Sequence, residues 1–424
     1  MQINLPETNK PRLVIVGAGF AGLILARNIN PEHYQVVLLD RHNYHTFQPL
    51  LYQVATGGLE PGSIAHPLRK FIKRRPHVIL RIAEVTAINS EAKELRTSIG
   101  VIRYDKLILA VGSKTNFFGH STLPETAMRM KTIPQALDLR SWILQHFEEA
   151  LLTSDIEERQ RHISFVVVGG GPTGVETAGA LGELKKHVLP KDYPELDIRR
   201  MEIHLLEAGP RVLAGMSEQA SEKALKFLKE LDVQVWLNAP VADYNGNDAL
   251  LKSGKVIPTK TLIWTAGVIG ALPEGLPEYS IGRGGRLKVD SLNRVEGIEG
   301  LYALGDVCLM TSEDYPNGHP MVAPVAIQMA KRLSDNLNRE AEGRRLREFH
   351  YFDKGSMATI GRNRAVVDLH KIRFQGFFAW FVWMFVHLMS IVGFRNRMVV
   401  FVDWFWNYLS YDRALRLIIR PFKR

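Results

Sequence analysis

Two glycine turns of one kind, Gly17-Ala-Gly19-Phe-Ala-Gly22 and Gly169-Gly-Gly171-Pro-Thr-Gly174, recur 152 residues apart in this chain. Each follows an apolar run with the character of a buried strand, Leu13-Val-Ile-Val16 in the first copy and Phe165-Val-Val-Val168 in the second. Each leads into a helix-like pattern, so backbone N–H groups and the positive helix end can face a pyrophosphate. One such turn is weak evidence, because the pattern arises by chance. Two of them in strand–turn–helix context, each followed by an acid, point to an α/β chain that holds two dinucleotides.

The acids are in place. Gln35-Val-Val-Leu-Leu39 ends in Asp40, 18 residues past Gly22, close to the spacing of a carboxylate that binds ribose hydroxyls. In the second copy Met201-Glu-Ile-His-Leu-Leu206 ends in Glu207, 33 residues past Gly174, because residues 185–200 insert a basic, proline-containing excursion. An acid at Glu207 repels a 2′-phosphate and so favours NAD(H) over NADP(H). The plainer reading of each is a surface acid at a strand end. The duplication continues in Lys106-Leu-Ile-Leu-Ala-Val-Gly112 and Thr261-Leu-Ile-Trp-Thr-Ala-Gly267, two apolar strands that end in glycine. A third element, Gly300-Leu-Tyr-Ala-Leu-Gly-Asp306, delivers Asp306 to a turn before an expected helix over 322–338. Asp306 is either a flavin contact or an ordinary turn cap.

A chain of 424 residues has room for two to three domains, and 46% hydrophobic content suits an α/β globule. The first ten residues are polar, and no secretory leader is expected. The single cysteine, Cys308, excludes a disulfide framework and a dithiol exit for electrons. It reads as a small buried hydrophobe.

Several stretches together carry a family resemblance. They are Val16-Gly-Ala-Gly-Phe-Ala-Gly22, Asn43-Tyr-His-Thr-Phe-Gln-Pro-Leu-Leu-Tyr-Gln-Val-Ala-Thr-Gly57, Val168-Gly-Gly-Gly-Pro-Thr-Gly-Val-Glu176, Trp264-Thr-Ala-Gly-Val268, Leu304-Gly-Asp306 and Lys354-Gly-Ser-Met-Ala-Thr-Ile-Gly361. On these the chain resembles the type II NADH:quinone oxidoreductases, single-subunit respiratory dehydrogenases that do not pump protons. The glycine turns fit many flavoenzymes, whereas the Asn43 to Gly57 stretch and the C-terminal block are more specific.

The resemblance implies tightly bound FAD, NADH as substrate and a quinone as acceptor. FAD would be held by Gly17, Ala18, Gly19, Phe20, Ala21, Gly22 and Asp40, with Arg41 and the Glu84-Val85 turn beside the adenine. Gly112, Asp306 and Ala323 would hold the rest of the flavin, and Gly169, Gly171, Gly174, Glu207 and Gly267 would bind NADH. Glu176, read as lying on the first helical turn after the second glycine motif, is either simple helix-end electrostatics or a catalytic acid. The family's Ala-Gln-x-Ala-x-Gln pattern reads Ala323-Pro324-Val-Ala326-Ile-Gln328 here. Pro324 removes one amide, leaving Gln328 and Gln48 as quinone-binding candidates.

Of the net charge of +10, the last 54 residues contribute +7, from nine Lys/Arg against Asp403 and Asp412. Four of the seven tryptophans also lie there. Residues 377–394 form an 18-residue run broken only lightly, which as a helix spans about 27 Å and just reaches membrane thickness. A spanning helix, a buried hairpin and an interfacial anchor compete. The aromatic residues, with Arg413, Arg416 and Arg420, favour an anchor lying in one leaflet. His387 reads as a packing residue. The basic stretch 69–75 reads as an amphipathic helix with a solvated face rather than a nucleic-acid site.

The expected architecture is two Rossmann-like dinucleotide-binding domains plus a C-terminal helical membrane anchor. The FAD domain is expected over 1–125 and 285–345, the NADH domain over 126–284 and the anchor over 346–424. A homodimer is expected, on the cytoplasmic face of the cell membrane, with no metal and no nucleic acid. A soluble reductase of an iron–sulfur protein and a non-catalytic NADH sensor are the competing functions.

Overall fold

The computed structural model describes residues 3–422, apart from 74, 370, 412–414 and 419–421. The chain forms two compact units. One comprises Met1–His45, His66–Lys114 and Val268–Asp353; the other comprises Thr46–Ala65, Thr115–Gly267 and Lys354–Arg424.

Each unit is built on a five-stranded parallel sheet, and the order of four strands repeats, while the fifth comes last along the chain in the first unit and first in the second. In the first unit Arg12–Val16 is central, between Gln35–Asp40 and Lys106–Leu109, with Val78–Ile82 and Leu301–Ala303 at the edges. In the second unit Ser164–Val168 is central, between Glu202–Leu206 and Thr261–Trp264, with Gln234–Trp236 and Met128–Arg129 outside. These runs are β-branched and leucine-rich without polar alternation, as strands covered on both faces require. Leu13, Val14, Ile15, Phe165, Val166 and Val167 are accordingly fully buried. Each unit adds a three-stranded antiparallel sheet, Val85–Asn89 with Glu94–Thr97 and Gly100–Arg103 in one, Val241–Tyr244 with Asp248–Leu251 and Val256–Pro258 in the other. The duplication thus extends from the glycine turns to four strands of each parallel sheet and to the added antiparallel sheet.

The glycine turns open into the helices Phe20–Asn28 and Pro172–His187, and the helix after Asp306 runs Ala323–Ala341. The basic stretch near residue 70 shortens to a five-residue helix, Leu68–Ile72, that buries Leu68 and exposes Arg69 and Lys70. Arg74 lies outside the described residues.

The second unit ends in a sheet of Ser356–Thr359, Ala365–Leu369 and Ile372–Gln375, then the helices Phe377–Ser390 and Phe394–Ser410. The 18-residue apolar run is therefore not one helix. It stops after 14 residues, and residues 391–393 turn the chain, with Gly393 at φ 92°. Among the described residues no helix is long and apolar enough to cross a membrane.

The second of these helices docks on the 46–65 segment through polar side chains. Asn396 Nδ2 donates to the Ala65 carbonyl and Trp404 Nε1 to Gln53 Oε1, both at 2.8 Å. Its outer face, and that of the helix before it, stays bare. Phe377, Phe381 and Phe385 recur every fourth residue and are more than half exposed, as are Phe394, Phe405 and Trp406. Of the expected tail cations, Arg416 reaches Asp192, while Arg413 and Arg420 lie outside the described residues.

Candidate functional site

The two glycine turns match in atomic detail. Gly17 N–H donates to the Leu39 carbonyl and Gly169 N–H to the Leu206 carbonyl, both at 2.8 Å. Asp40 accepts from Ala18 N–H at 2.6 Å and His42 N–H at 2.7 Å; Glu207 accepts from Gly170 N–H at 2.5 Å and Gly209 N–H at 2.7 Å. Each acid therefore ties its glycine turn to the end of the neighbouring strand. Each oxygen keeps a further lone pair for a ribose hydroxyl.

The turns also fit a pyrophosphate sterically. A Cβ at Gly22 or Gly174 would overlap the carbonyl oxygen of Gly17 or Gly169, so those glycines close the turn itself. A Cβ at Gly19 or Gly171 would meet nothing within 4 Å, so these two face open space. Neither following helix has a side-chain cap on its first N–H groups. Open glycines beside an uncapped helix N-terminus are the surroundings a bound phosphate needs.

All the expected FAD residues fall in the first unit. Ala18 and Ala21 are buried against the sheet, while Phe20 opens the helix and packs edge-on to His45 with ring centres 5.1 Å apart. Arg41 is exposed and approaches Glu84 at 3.9 Å, next to Val85 at the start of its strand. Gly112 has φ 72° and open space at its Cβ position. Asp306 sits in the short turn Gly305–Val307 and accepts from Ser113 Oγ at 2.5 Å; Ala323 is the first residue of its helix. Cys308 is buried, and burial pushes its thiol up to about 12, so it stays an un-ionised hydrophobe.

The expected NADH residues all fall in the second unit. Gly267 lies under the exposed ring of Phe118, whose Cζ would be 2.8 Å from a Cβ there.

Glu176 is not on the first helical turn. The helix starts at Pro172 and has no acid in its first turn, so Glu176 lies one turn further in. The helix-end account of its charge therefore does not hold. The side chain is buried, and its Oε1 accepts from Thr359 N–H at 3.4 Å. Burial raises its carboxyl from 4.5 to about 8, against smaller opposing effects of Thr359 and the nearby Trp383. The Trp383 indole N–H is itself buried without closing a hydrogen bond.

Glu176 forms part of the wall of a cavity of about 110 Å³ within the second unit. Tyr52, Gln53, Thr56 and Gly58 come from one segment, Ala180 and Glu183 from the Glu176 helix, and Trp380, Trp383, Trp404 and Tyr408 from the C-terminal helices. Arg362 lines the same space, anchors through the carbonyls of Asn407 and Tyr408, and stacks its guanidinium 3.3 Å from the centre of the Tyr411 ring. An aromatic-walled space with a carboxyl raised by burial in its wall suits a flat apolar molecule with a proton-accepting oxygen.

The residues expected to bind quinone do not line this cavity. Gln48 is exposed at the start of a short 3₁₀ turn, and Pro324 occupies the second position of its helix. Gln328 has both ends of its amide engaged by Phe352, donating to the carbonyl at 2.9 Å and accepting from the N–H at 3.0 Å. Gln53, not foreseen, lines the space in their stead. The sequence signals for it were the Asn43 to Gly57 stretch and the Lys354 to Gly361 block, both of which contribute to the wall. His387 stacks on Trp383 with centres 4.1 Å apart, contacts its carbonyl oxygen through Nδ1 and is pushed down to about 4 by burial, as a neutral packing residue.

The family model described as pyridine nucleotide-disulphide oxidoreductase matches residues 11–330, and that of the NDH2 C-terminal domain matches residues 353–411. The type II NADH:quinone oxidoreductase NdhA of Mycobacterium tuberculosis is 37% identical over 420 residues, covering 95% of this chain and 88% of the relative. The chain belongs to the type II NADH:quinone oxidoreductase family. A second type II NADH:quinone oxidoreductase of that organism, Ndh, is 36% identical over 418 residues, covering 95% of this chain and 89% of the relative. The solved structure of NDH2 from Plasmodium falciparum in complex with NADH has a TM-score of 0.87 at 23% identity, covering 97% of this chain and all of that one. At that identity the likeness is one of fold, and it extends through the C-terminal helices of this type II oxidoreductase.

Proposed function

We propose that this type II NADH:quinone oxidoreductase oxidises NADH through FAD and reduces a quinone that enters the Glu176 cavity. FAD, when bound, takes two electrons from NADH and releases them to the quinone. The chain's own residues bind, orient and supply protons. The first glycine turn, Asp40 and Asp306 hold FAD; the second turn and Glu207 hold NADH.

The observation that carries the quinone reading is Glu176 itself. A carboxyl raised to about 8 is protonated at neutral pH, and this one stands in the wall of an aromatic cavity. It holds a proton where a reduced quinone oxygen needs one. The match to the NDH2 C-terminal domain over 353–411 favours this reading over a reductase of iron–sulfur proteins.

The bare faces of the two C-terminal helices are the proposed membrane contact. Their exposed phenylalanines at helical spacing form an apolar surface that lies in one leaflet, on the cytoplasmic side, without crossing. The reaction is proposed to proceed without proton pumping. Turnover of FAD-loaded protein with NADH, with and without a short-chain quinone, is the test. Quinone-dependent turnover is expected. Flavin bleached by NADH that never regains colour on quinone addition would favour a protein acceptor.

A further inference from the structure

His146 and Glu149 lie three residues apart, on one face of the helix Ile133–Leu152, and His162 closes the next helix, Ile156–His162. The short link between the helices folds them back so that three donor atoms face one point. His146 Nδ1 and His162 Nδ1 are 2.8 Å apart, and Glu149 Oε2 is 2.9 Å from the first and 3.3 Å from the second. Two imidazole nitrogens this close share a single proton, while the carboxylate faces both of them. One cation would accept all three lone pairs at once.

The surroundings suit a bound cation. Both rings are buried, whereas the Glu149 side chain is 49% exposed, giving an ion a way in. Glu158 Oε1 stands 3.5 Å from His162 Nε2 and is itself held by Lys260 Nζ at 2.9 Å. A carboxylate on the far ring nitrogen selects the tautomer whose Nδ1 lone pair is available to a metal. Two imidazoles and one carboxylate form the three-ligand zinc set that leaves a fourth position for water. Tetrahedral geometry at about 2.1 Å sets donor atoms about 3.4 Å apart. The two edges to Glu149, 2.9 and 3.3 Å, open by a small movement of its half-exposed side chain, whereas the 2.8 Å edge between the two imidazole nitrogens has to widen by about 0.6 Å through rotation of the buried rings. This is the one group of its kind among the described residues.

We propose that His146, Glu149 and His162 bind one divalent first-row cation of the zinc type. The site ties together the two helices that lead directly into Ser164–Val168, the strand that carries the second glycine turn. Its occupancy would stiffen that entry without touching the reaction.

The test uses the chelator-stripped holoenzyme, titrated with Zn²⁺ against a chromophoric competitor and followed in parallel by thermal unfolding. One equivalent bound, with a rise of several degrees in Tm, is expected for the native chain. Both effects should be lost in Glu149→Gln and in His162→Gln. Glu149→Gln is half exposed and should keep the metal-free Tm, which guards against a variant that merely fails to fold. Absence of stoichiometric Zn²⁺ in the native chain would overturn the proposal. Equal binding by the native chain and Glu149→Gln would do the same.

Discussion

Replacing Glu176 with glutamine should make the protein more stable as the pH rises. The carboxyl is raised from 4.5 to about 8, chiefly by burial. Between those values the native state keeps a proton that the unfolded chain has lost, so raising the pH favours unfolding. The cost is absent below the lower value, grows by about 1.4 kcal/mol per pH unit and reaches about 5 kcal/mol above the upper one. Water entering the adjoining cavity would lower that ceiling. Glu176→Gln keeps the shape and removes the titration. Urea midpoints of flavin-loaded native and variant protein, compared from about pH 5 to about pH 9, give the readout. The two should behave alike at the acid end, with the variant gaining steadily until a plateau near pH 8. A difference that does not change with pH would refute the buried-acid account. The kinetic counterpart is a quinone-dependent kcat that falls in the native enzyme above an apparent pKa near 8. In the variant it should be low and lack that limb, with KM for NADH unchanged.

Two further outcomes follow from geometry. Gly171→Ala places a methyl where the protein offers no neighbour within 4 Å, so folding and flavin content should be retained while KM for NADH rises about tenfold or more. An unaltered KM would remove that turn from NADH binding. Phe381→Glu with Phe405→Glu should abolish flotation with anionic vesicles, since each exposed ring contributes about 1.5–3 kcal/mol when buried in an apolar phase. Vesicle binding by the double variant equal to that of the native chain would place the membrane contact elsewhere.

The nucleotide halves of this fold were legible in the sequence because a parallel strand must be apolar on both faces and a phosphate turn must have glycine. The runs before Gly17 and Gly169 follow from those two demands, and the acids at Asp40 and Glu207 from a third, a carboxylate at the strand end for ribose hydroxyls. The C-terminal segment was less legible. An apolar run of 18 residues carries no periodicity that separates one helix from two, and the break at residues 391–393 rests on the backbone at Gly393. Glu176 stood out by its position after the glycine turn, but its surroundings did not. Thr359 and Trp383, which touch it, and Gln53, which lines the same cavity, are remote from it in sequence and come together only through tertiary packing. The His146, Glu149 and His162 group was missed for a related reason. Sixteen residues and a helix reversal separate the two histidines, and only His146 and Glu149 share the one-turn spacing of a helical ligand pair.

The most direct test of the central claim is to fill the cavity. Ala180 stands in its wall on the same helix as Glu176, and Ala180→Leu adds a branched side chain to a space of about 110 Å³. Stopped-flow mixing with NADH should bleach the bound flavin as in the native enzyme, while KM for quinone rises or turnover with quinone collapses. Unchanged quinone turnover in a folded, flavin-loaded Ala180→Leu protein would contradict entry of the quinone beside Glu176.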